Sequence, residues 1–263
     1  MDEKIPLIVK NDPPLCTLMI NNPAKRNALT PECCSKIMET FDALSRDEGV
    51  RVAVLRGVGG VAFSAGADIG AMPGREADGP EGIHEAVTRA AEAIQKYSYP
   101  VIAMLNGYTL GAGCILAMSC DIRVAARHVK MGIPTSKMGL ISDVRTFRRF
   151  HTVLGYSTAL ELFLTGRFYD SQESLQMGLV NHVVESENLE SFTYDLAREI
   201  SECAPLSLRG SKSILTKIAA DPNPSPEDLE TFHTLRIRTF QSEDHEEAKQ
   251  AFKEKRKPRF KGR

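Results

Sequence analysis

The sequence predicts an α/β layer protein with parallel strand pairing and a helical C-terminal part. Three observations predict it. Apolar, β-branched runs at 50–55, 100–105 and 122–126 alternate with segments of helical spacing. Two of those runs lead through glycine-containing turns into helices, at Ala65-Gly66-Ala67 and at Gly111-Ala112-Gly113. From about Glu187 onward the pattern is helical only, punctuated by Pro205, Pro222, Pro224 and Pro226.

The elements follow in order. Residues 5–9 and 15–20 are short β-like runs. Asn11-Asp12-Pro13-Pro14 between them is turn chemistry, which predicts a hairpin. Thr30 is a helix cap with Pro31 at the first helical position, and Ile37, Met38, Phe41 and Leu44 recur at helical spacing. Six Gly and Pro residues between Gly70 and Gly82 predict an irregular, mobile loop beside a site. A helix follows from about Ile83 to Lys96. Asn106-Gly107 turns the chain, and a short apolar helix runs from Gly111 to Cys120. Residues 179–184 read as a further strand. A soft boundary near 200 separates an α/β core, 1–200, from a helical region, 201–263. No repeat of fixed period is visible.

The composition is that of an ordinary globular protein, with 42% apolar and 25% charged residues in 263. Lys plus Arg total 33 against 34 for Asp plus Glu, a net charge of −1. That balance argues against nucleic acid or an anionic membrane as partner. No apolar run approaches the roughly 18 residues of a membrane span. Met1-Asp2-Glu3-Lys4 does not open a signal or transit peptide, so the expected location is cytoplasmic. The six cysteines form no C-x-x-C pair; they read as small core residues of a reducing compartment, and no metal site is expected.

The chemistry points to the two glycine turns. Unpaired N–H groups at a helix start carry partial positive charge, and small residues let a ligand approach the backbone. Two such turns side by side could aim two donors at one oxygen, an oxyanion hole. The plainer reading is a pair of tight strand-to-helix connections, and for a single glycine turn it is the stronger one. A dinucleotide site is a third option, but Gly111-x-Gly113 continues to Leu116, so the G-x-G-x-x-G fingerprint is absent.

Several segments together resemble the crotonase superfamily, the enoyl-CoA hydratase/isomerase family. They are Asn22-Pro23-Ala24-Lys25-Arg26-Asn27-Ala28-Leu29, Phe63-Ser64-Ala65-Gly66-Ala67-Asp68-Ile69, Asn106-Gly107-Tyr108-Thr109-Leu110-Gly111-Ala112-Gly113 and Cys120-Asp121-Ile122-Arg123. Leu164-Thr165-Gly166-Arg167, Gly178-Leu179-Val180 and the closing Ala251-Phe252 to Pro258 fit as well. Their order and spacing cover nearly the whole chain. The resemblance implies a core of repeated ββα units, homotrimers often paired into hexamers, and acyl-CoA thioester substrates. It places the two oxyanion donors on the N–H groups of Ala67 and Ala112. It places coenzyme A contacts on Lys25, Arg26, Ala28, Ala65, Ala67, Asp68 and Ile69, with Phe252 and Lys255 reaching the CoA of a neighbouring subunit. No cofactor is implied beyond the coenzyme A carried as substrate thioester.

Hydratases of that family use two glutamates as acid and base. The corresponding positions here hold Ile115 and Thr135, and neither side chain can exchange a proton at neutral pH. One carboxylate remains in a comparable place. Asp143, in Gly139-Leu140-Ile141-Ser142-Asp143-Val144, resembles the catalytic aspartate of dienoyl-CoA isomerases and the nucleophile of the family's dehalogenases. It could shuttle a proton or attack as a nucleophile. Equally, Ser142 or Asp143 could simply cap the following helix. His84 and Glu85 could reach a substrate tail or form a solvated helix end. Arg145, near Lys137, Arg148, Arg149 and His151, could bind a substrate carboxylate, or these residues could form a charged helix face. Lys253 to Arg263 holds seven basic residues and one acidic, a solvated tail or a phosphate-facing cluster.

The expected activity is double-bond isomerisation or atypical hydration of an enoyl- or dienoyl-CoA, with Asp143 handling the proton. The alternatives are thioester hydrolysis, decarboxylation or C–C cleavage on the same scaffold, or a degenerate member kept for CoA binding.

Overall fold

The computed structural model describes residues 5–68 and 82–263. The expected loop over 70–82 lies outside them except for Gly82, as do Ile69 and the N-terminal Met1 to Lys4. Strands fall into two sheets. Among the described residues the larger has six strands and the smaller four.

β1 (Leu7–Asp12) and β2 (Leu15–Ile20) form the expected hairpin, pairing antiparallel from Leu7↔Ile20 to Asp12↔Leu15. The turn is shorter than the sequence predicts. Only Pro13-Pro14 lies outside the ladder, and the first strand begins at Leu7, not Ile5. Asn11 and Asp12 are tolerated in β1 because it is an edge strand, largely exposed beyond Leu7. Next, α1 (Pro31–Leu44) starts where Thr30 accepts a hydrogen bond from the Cys33 N–H, and buries Cys33, Cys34, Ile37, Phe41 and Leu44.

The centre repeats one pattern. β3 (Val52–Gly57) lies in the large sheet, β4 (Ala62–Ser64) in the small sheet, and α2 (Ile83–Lys96) follows. β5 (Val101–Leu105), β6 (Tyr108–Leu110) and α3 (Ala112–Ser119) repeat that path, and β7 (Ile122–Ala126) with β8 (Lys130–Gly132) begin it again. β3, β5 and β7 pair in parallel, as do β4, β6 and β8. These are the repeated ββα units that the resemblance implies. The intervals between Val52, Val101 and Ile122 are unequal, so no fixed period shows in the sequence.

Beyond them come α4 (Val144–Leu154), α5 (Tyr156–Thr165), β9 (Tyr169–Asp170), α6 (Ser171–Met177) and β10 (His182–Val184). The strand expected over 179–184 is therefore only its last three residues. Leu179 and Val180 are core residues that precede it. Four further helices close the described chain: α7 (Leu189–Ser201), α8 (Pro205–Ala220), α9 (Pro226–Phe240) and α10 (Glu243–Glu254). α7 packs Leu189 and Ala197 into the core. α8 is tethered by Lys212, whose ammonium lies 2.6 Å from the Asp121 carboxylate and 2.9 Å from the Tyr99 carbonyl. α9 buries no residue of its own.

Five of the six cysteines are buried and all six are free. Burial pushes the thiols of Cys33, Cys114 and Cys120 up to about 12, which leaves them unreactive core residues. Among the described residues, no helix is long and apolar enough to cross a membrane.

Candidate active site

The two glycine turns meet. The first leaves β4 at Ser64, whose Oγ accepts from the Gly66 N–H at 3.2 Å. It is clamped by the segment before α1. Ala65 N–H donates to Arg26 O, Leu29 N–H to Gly66 O and Asp68 N–H to Leu29 O, all within 3.0 Å. Asn27, 1% exposed, locks that segment in turn. Its amide donates to Ala62 O at 2.7 Å and to Val58 O at 3.0 Å, and its Oδ1 accepts from Asn22 N–H at 3.0 Å. The second turn leaves β6, passes Gly111 at φ +52° and starts α3 at Ala112.

Contact between the turns depends on absent side chains. A Cβ on Gly66 would come 2.9 Å from Leu110 O and 3.5 Å from Ala112 N. A Cβ on Gly113 would come 2.5 Å from Ser64 O, so α3 sits directly on β4. Among the described residues, the N–H groups of Ala67 and Ala112 have no protein acceptor. Ala112 is the first residue of its helix, where the N–H is necessarily unpaired within the helix.

Both alanines line one cavity of about 580 Å³. Its apolar wall includes Leu110, Ile115, Ile133, Met138, Leu140 and Phe168. Its polar wall is His84, Glu85, Thr88, Thr135, Ser142, Asp143 and Arg145. Ile115 and Thr135 thus both face the space beside the two N–H groups.

Asp143 caps α4. Its Oδ1 accepts from the N–H groups of Arg145 at 2.8 Å and Thr146 at 3.2 Å. Its Oδ2 accepts from the hydroxyls of Thr146 at 2.9 Å and Thr88 at 3.1 Å. Burial by itself raises the Asp143 pKa, but the bonds from Thr146, Arg145 and Thr88 outweigh it and hold the carboxyl below the ordinary aspartate value. Of the two readings of Asp143, the cap is directly observed, and the cavity exposes the same carboxylate to a ligand.

Arg145 ties the polar wall together. It reaches Glu85 at 2.9 Å and Glu92 at 3.1 Å, and its Nε lies 3.5 Å from Asp143. Arg145 and Arg89 together hold Glu85 below the usual carboxylate range. Thr88 carries no signal in the sequence. It is an ordinary threonine inside a helix, and its partner lies 55 residues away.

The profile of the enoyl-CoA hydratase/isomerase family matches residues 11–263. The chain belongs to this family. It is 32% identical over 260 residues to the 2,3-dehydroadipyl-CoA hydratase of Escherichia coli (strain K12), across 98% of this chain and 99% of that one. It is also 32% identical over 256 residues to the methylmalonyl-CoA decarboxylase of the same organism, across 94% and 95%. Among solved structures, an enoyl-CoA hydratase/carnithine racemase from Magnetospirillum magneticum superposes with a TM-score of 0.91 at 30% identity, covering 100% of this chain and 97% of that one.

As a member of the enoyl-CoA hydratase/isomerase family, the chain divides the residues that the sequence singles out into three groups. Ala65, Ala67, Ala112, Asp143, His84, Glu85 and Arg145 share the cavity. Lys25, Arg26, Ala28 and Asp68 stand behind its first turn. Lys25 Nζ lies 2.7 Å from Asp68, and Arg26 sits over the Tyr108 ring. Phe252 and Lys255, at the end of α10, do not line the cavity, and Phe252 is 86% exposed. Of the remaining basic residues, Arg148 and Arg149 line an adjoining cavity of about 240 Å³ that shares Thr88, Ile115 and Arg145 with the first. Arg149 donates to Met118 O and Cys120 O. Lys137 lies off the main cavity, and His151 meets the Tyr156 ring edge-on.

Proposed function

We propose that the protein is an acyl-CoA enzyme in which the N–H groups of Ala67 and Ala112 receive the thioester oxygen as it becomes an enolate. The observation that carries this reading is the pair of acceptor-free N–H groups on one cavity wall. Both are main-chain donors on rigid turns, so they need no reorganisation as charge develops. Apolar neighbours such as Ile115 and Leu110 exclude water and strengthen them. On this reading coenzyme A arrives as part of the substrate, and Lys25, Arg26, Ala28, Ala65 and Asp68 flank its path. Phe252 and Lys255 act on the CoA of a neighbouring copy in a homotrimer or hexamer, which fits their position away from their own cavity.

The reaction we favour is double-bond isomerisation, or an atypical hydration, of an enoyl- or dienoyl-CoA. With Ile115 and Thr135 on the cavity wall, the carboxylates that line the cavity among the described residues are Asp143 and Glu85, and Glu85 is held by two arginines. Asp143 is ionised at neutral pH and can accept a proton from a carbon next to the thioester. A second reading is favoured by the four hydrogen bonds on Asp143, which leave it a weak base. There the enolate arises without a protein base, by loss of CO₂ or by C–C cleavage.

The test is mass spectrometry of products from acyl-, enoyl- and dienoyl-CoA panels in heavy water, with wild type and Asp143→Asn. Isomerisation or water addition that falls roughly 10²-fold in Asp143→Asn, with CoA binding intact, supports the favoured reading. CO₂ loss at equal rates in both proteins supports the second. CoA binding with no turnover on any member of the panel sinks both.

A further inference from the structure

Thr88 occupies a position that its single hydroxyl proton cannot satisfy in only one way. Its Oγ1 lies 3.0 Å from the His84 carbonyl and 3.1 Å from Asp143 Oδ2. The carbonyl is always an acceptor, and an ionised carboxylate is too. One hydroxyl has one proton and two lone pairs. While Asp143 is ionised, Thr88 donates to it, and the His84 carbonyl keeps its place in the α2 backbone ladder. Once Oδ2 carries a proton, the roles reverse. Oδ2–H donates to Thr88, and Thr88 donates to His84. Each protonation state is fully bonded, and the other three bonds to Asp143 remain unchanged.

We infer that Thr88 is a positioning residue that lets Asp143 gain and lose a proton without leaving its place as the cap of α4. The inference rests on the reading of Asp143 as the proton-handling group. Rotation of the Thr88 hydroxyl toward His84 turns a Thr88 lone pair to Oδ2, ready to accept from Oδ2–H, and both residues line the cavity. In the step served, the C–H bond of the substrate's α or γ carbon breaks and its electron pair enters the thioester enolate. The proton bonds to Oδ2. Its return to the other end of the π system restores the carboxylate and the original direction of the Thr88 hydroxyl.

The groups around Asp143 do not supply this exchange themselves. Arg145, on the same helix, only donates. From α2, Glu85 and Glu92 face Arg145, Arg89 faces Glu85, and His84 lines the cavity beside them. From α3, Ile115 is apolar. Thr146 shares Oδ2, and among the described residues its hydroxyl has no second acceptor. Thr88 alone of the two threonines stands between two acceptors.

The experiment compares wild type, Thr88→Val, Thr88→Ser and Asp143→Asn. One readout is deuterium uptake at the α carbon of butyryl-CoA in heavy water, followed against pH. The other, independent of turnover, is carbon-13 titration of the Asp143 carboxyl, assigned by its disappearance in Asp143→Asn. Valine keeps the shape and removes the hydroxyl. The expected result is an acidic limb and an Asp143 titration both moved to higher pH in Thr88→Val, because the ionised form has lost a donor. Uptake at neutral pH falls about tenfold with KM unchanged, and Thr88→Ser restores all three. An Asp143 titration unmoved in Thr88→Val overturns the role of Thr88, and so does a shift that Thr88→Ser fails to reverse. Uptake undiminished in Asp143→Asn overturns instead the reading on which the inference rests.

Discussion

Gly66 faces the start of α3 so closely that a methyl group on it would lie 3.5 Å from the Ala112 nitrogen and 2.9 Å from the carbonyl oxygen of Leu110. The two chain segments come from different ββα units, and only the missing side chain lets them approach. Gly66 also sits at φ +104°, where an L-residue is strained. Gly66→Ala is therefore expected to lose about 1–3 kcal/mol of stability and most of its turnover, because the turns must separate. Denaturant unfolding and acyl-CoA turnover of the purified variant check this. Wild-type values in both would show that the contact is dispensable.

The Ala112 donor can be deleted by one substitution that keeps the start of α3. Proline removes the N–H and is accommodated at the first residue of a helix, the position Ala112 holds in α3. Gly111 before it has the freedom to adapt. Ala112→Pro should fold, bind CoA and lose roughly 10²–10³-fold in kcat. Circular dichroism and calorimetric CoA binding, run beside the assay, separate lost chemistry from lost structure.

Asp143 should also be visible in stability against pH. Its folded pKa is depressed by hydrogen bonds, so its contribution is present above the unfolded aspartate value of about 3.9. It is lost as pH falls through the lower folded value. Wild type should therefore lose an advantage over Asp143→Asn as the pH drops through that range. Removing the cap altogether, as in Asp143→Ala, should cost about 1 kcal/mol near neutral pH. Parallel melts of the three proteins between pH 3 and 7 are the measurement, and superimposable curves would rule out the cap as a source of stability.

Lys212 is 9% exposed and joins α8 to Asp121 at 2.6 Å, behind the C-terminal ends of the helices that frame the site. Its loss leaves Asp121 with the Val101 N–H at 2.7 Å as its remaining described partner. Lys212→Met should cost about 1.5–3 kcal/mol and lower amide protection in α8 before the main sheet. Hydrogen exchange resolved by segment would show it. Uniform protection would mean that α8 is held by apolar contacts alone.

What the sequence makes legible follows from range. In the large sheet β1, β2, β3, β5 and β7 are runs of five or six residues, long enough to show composition, and β10 alone is as short as three. β4, β6, β8 and β9 are two or three residues each, with no room for alternation, so the second sheet is invisible until the chain is folded. The Thr30 and Asp143 caps are local chemistry and readable in place. Asn11 and Asp12 look like a turn because their composition is turn-like, but an exposed edge strand accepts them. Ala67 and Ala112 are legible through the glycines beside them. Thr88 is not, because its meaning is a contact across 55 residues.

The clamp formed by Asn27, Leu29 and Gly66 has an evolutionary consequence. Of the ordinary substitutions only proline erases a main-chain amide, so the two N–H groups survive almost any other residue at positions 67 and 112. Inheritance is exacting instead at the scaffold that aims them: the buried amide of Asn27, and the glycines that permit contact. The side chains across the cavity, Ile115, Thr135 and Asp143 among them, are then free to change around an unchanged pair of N–H groups.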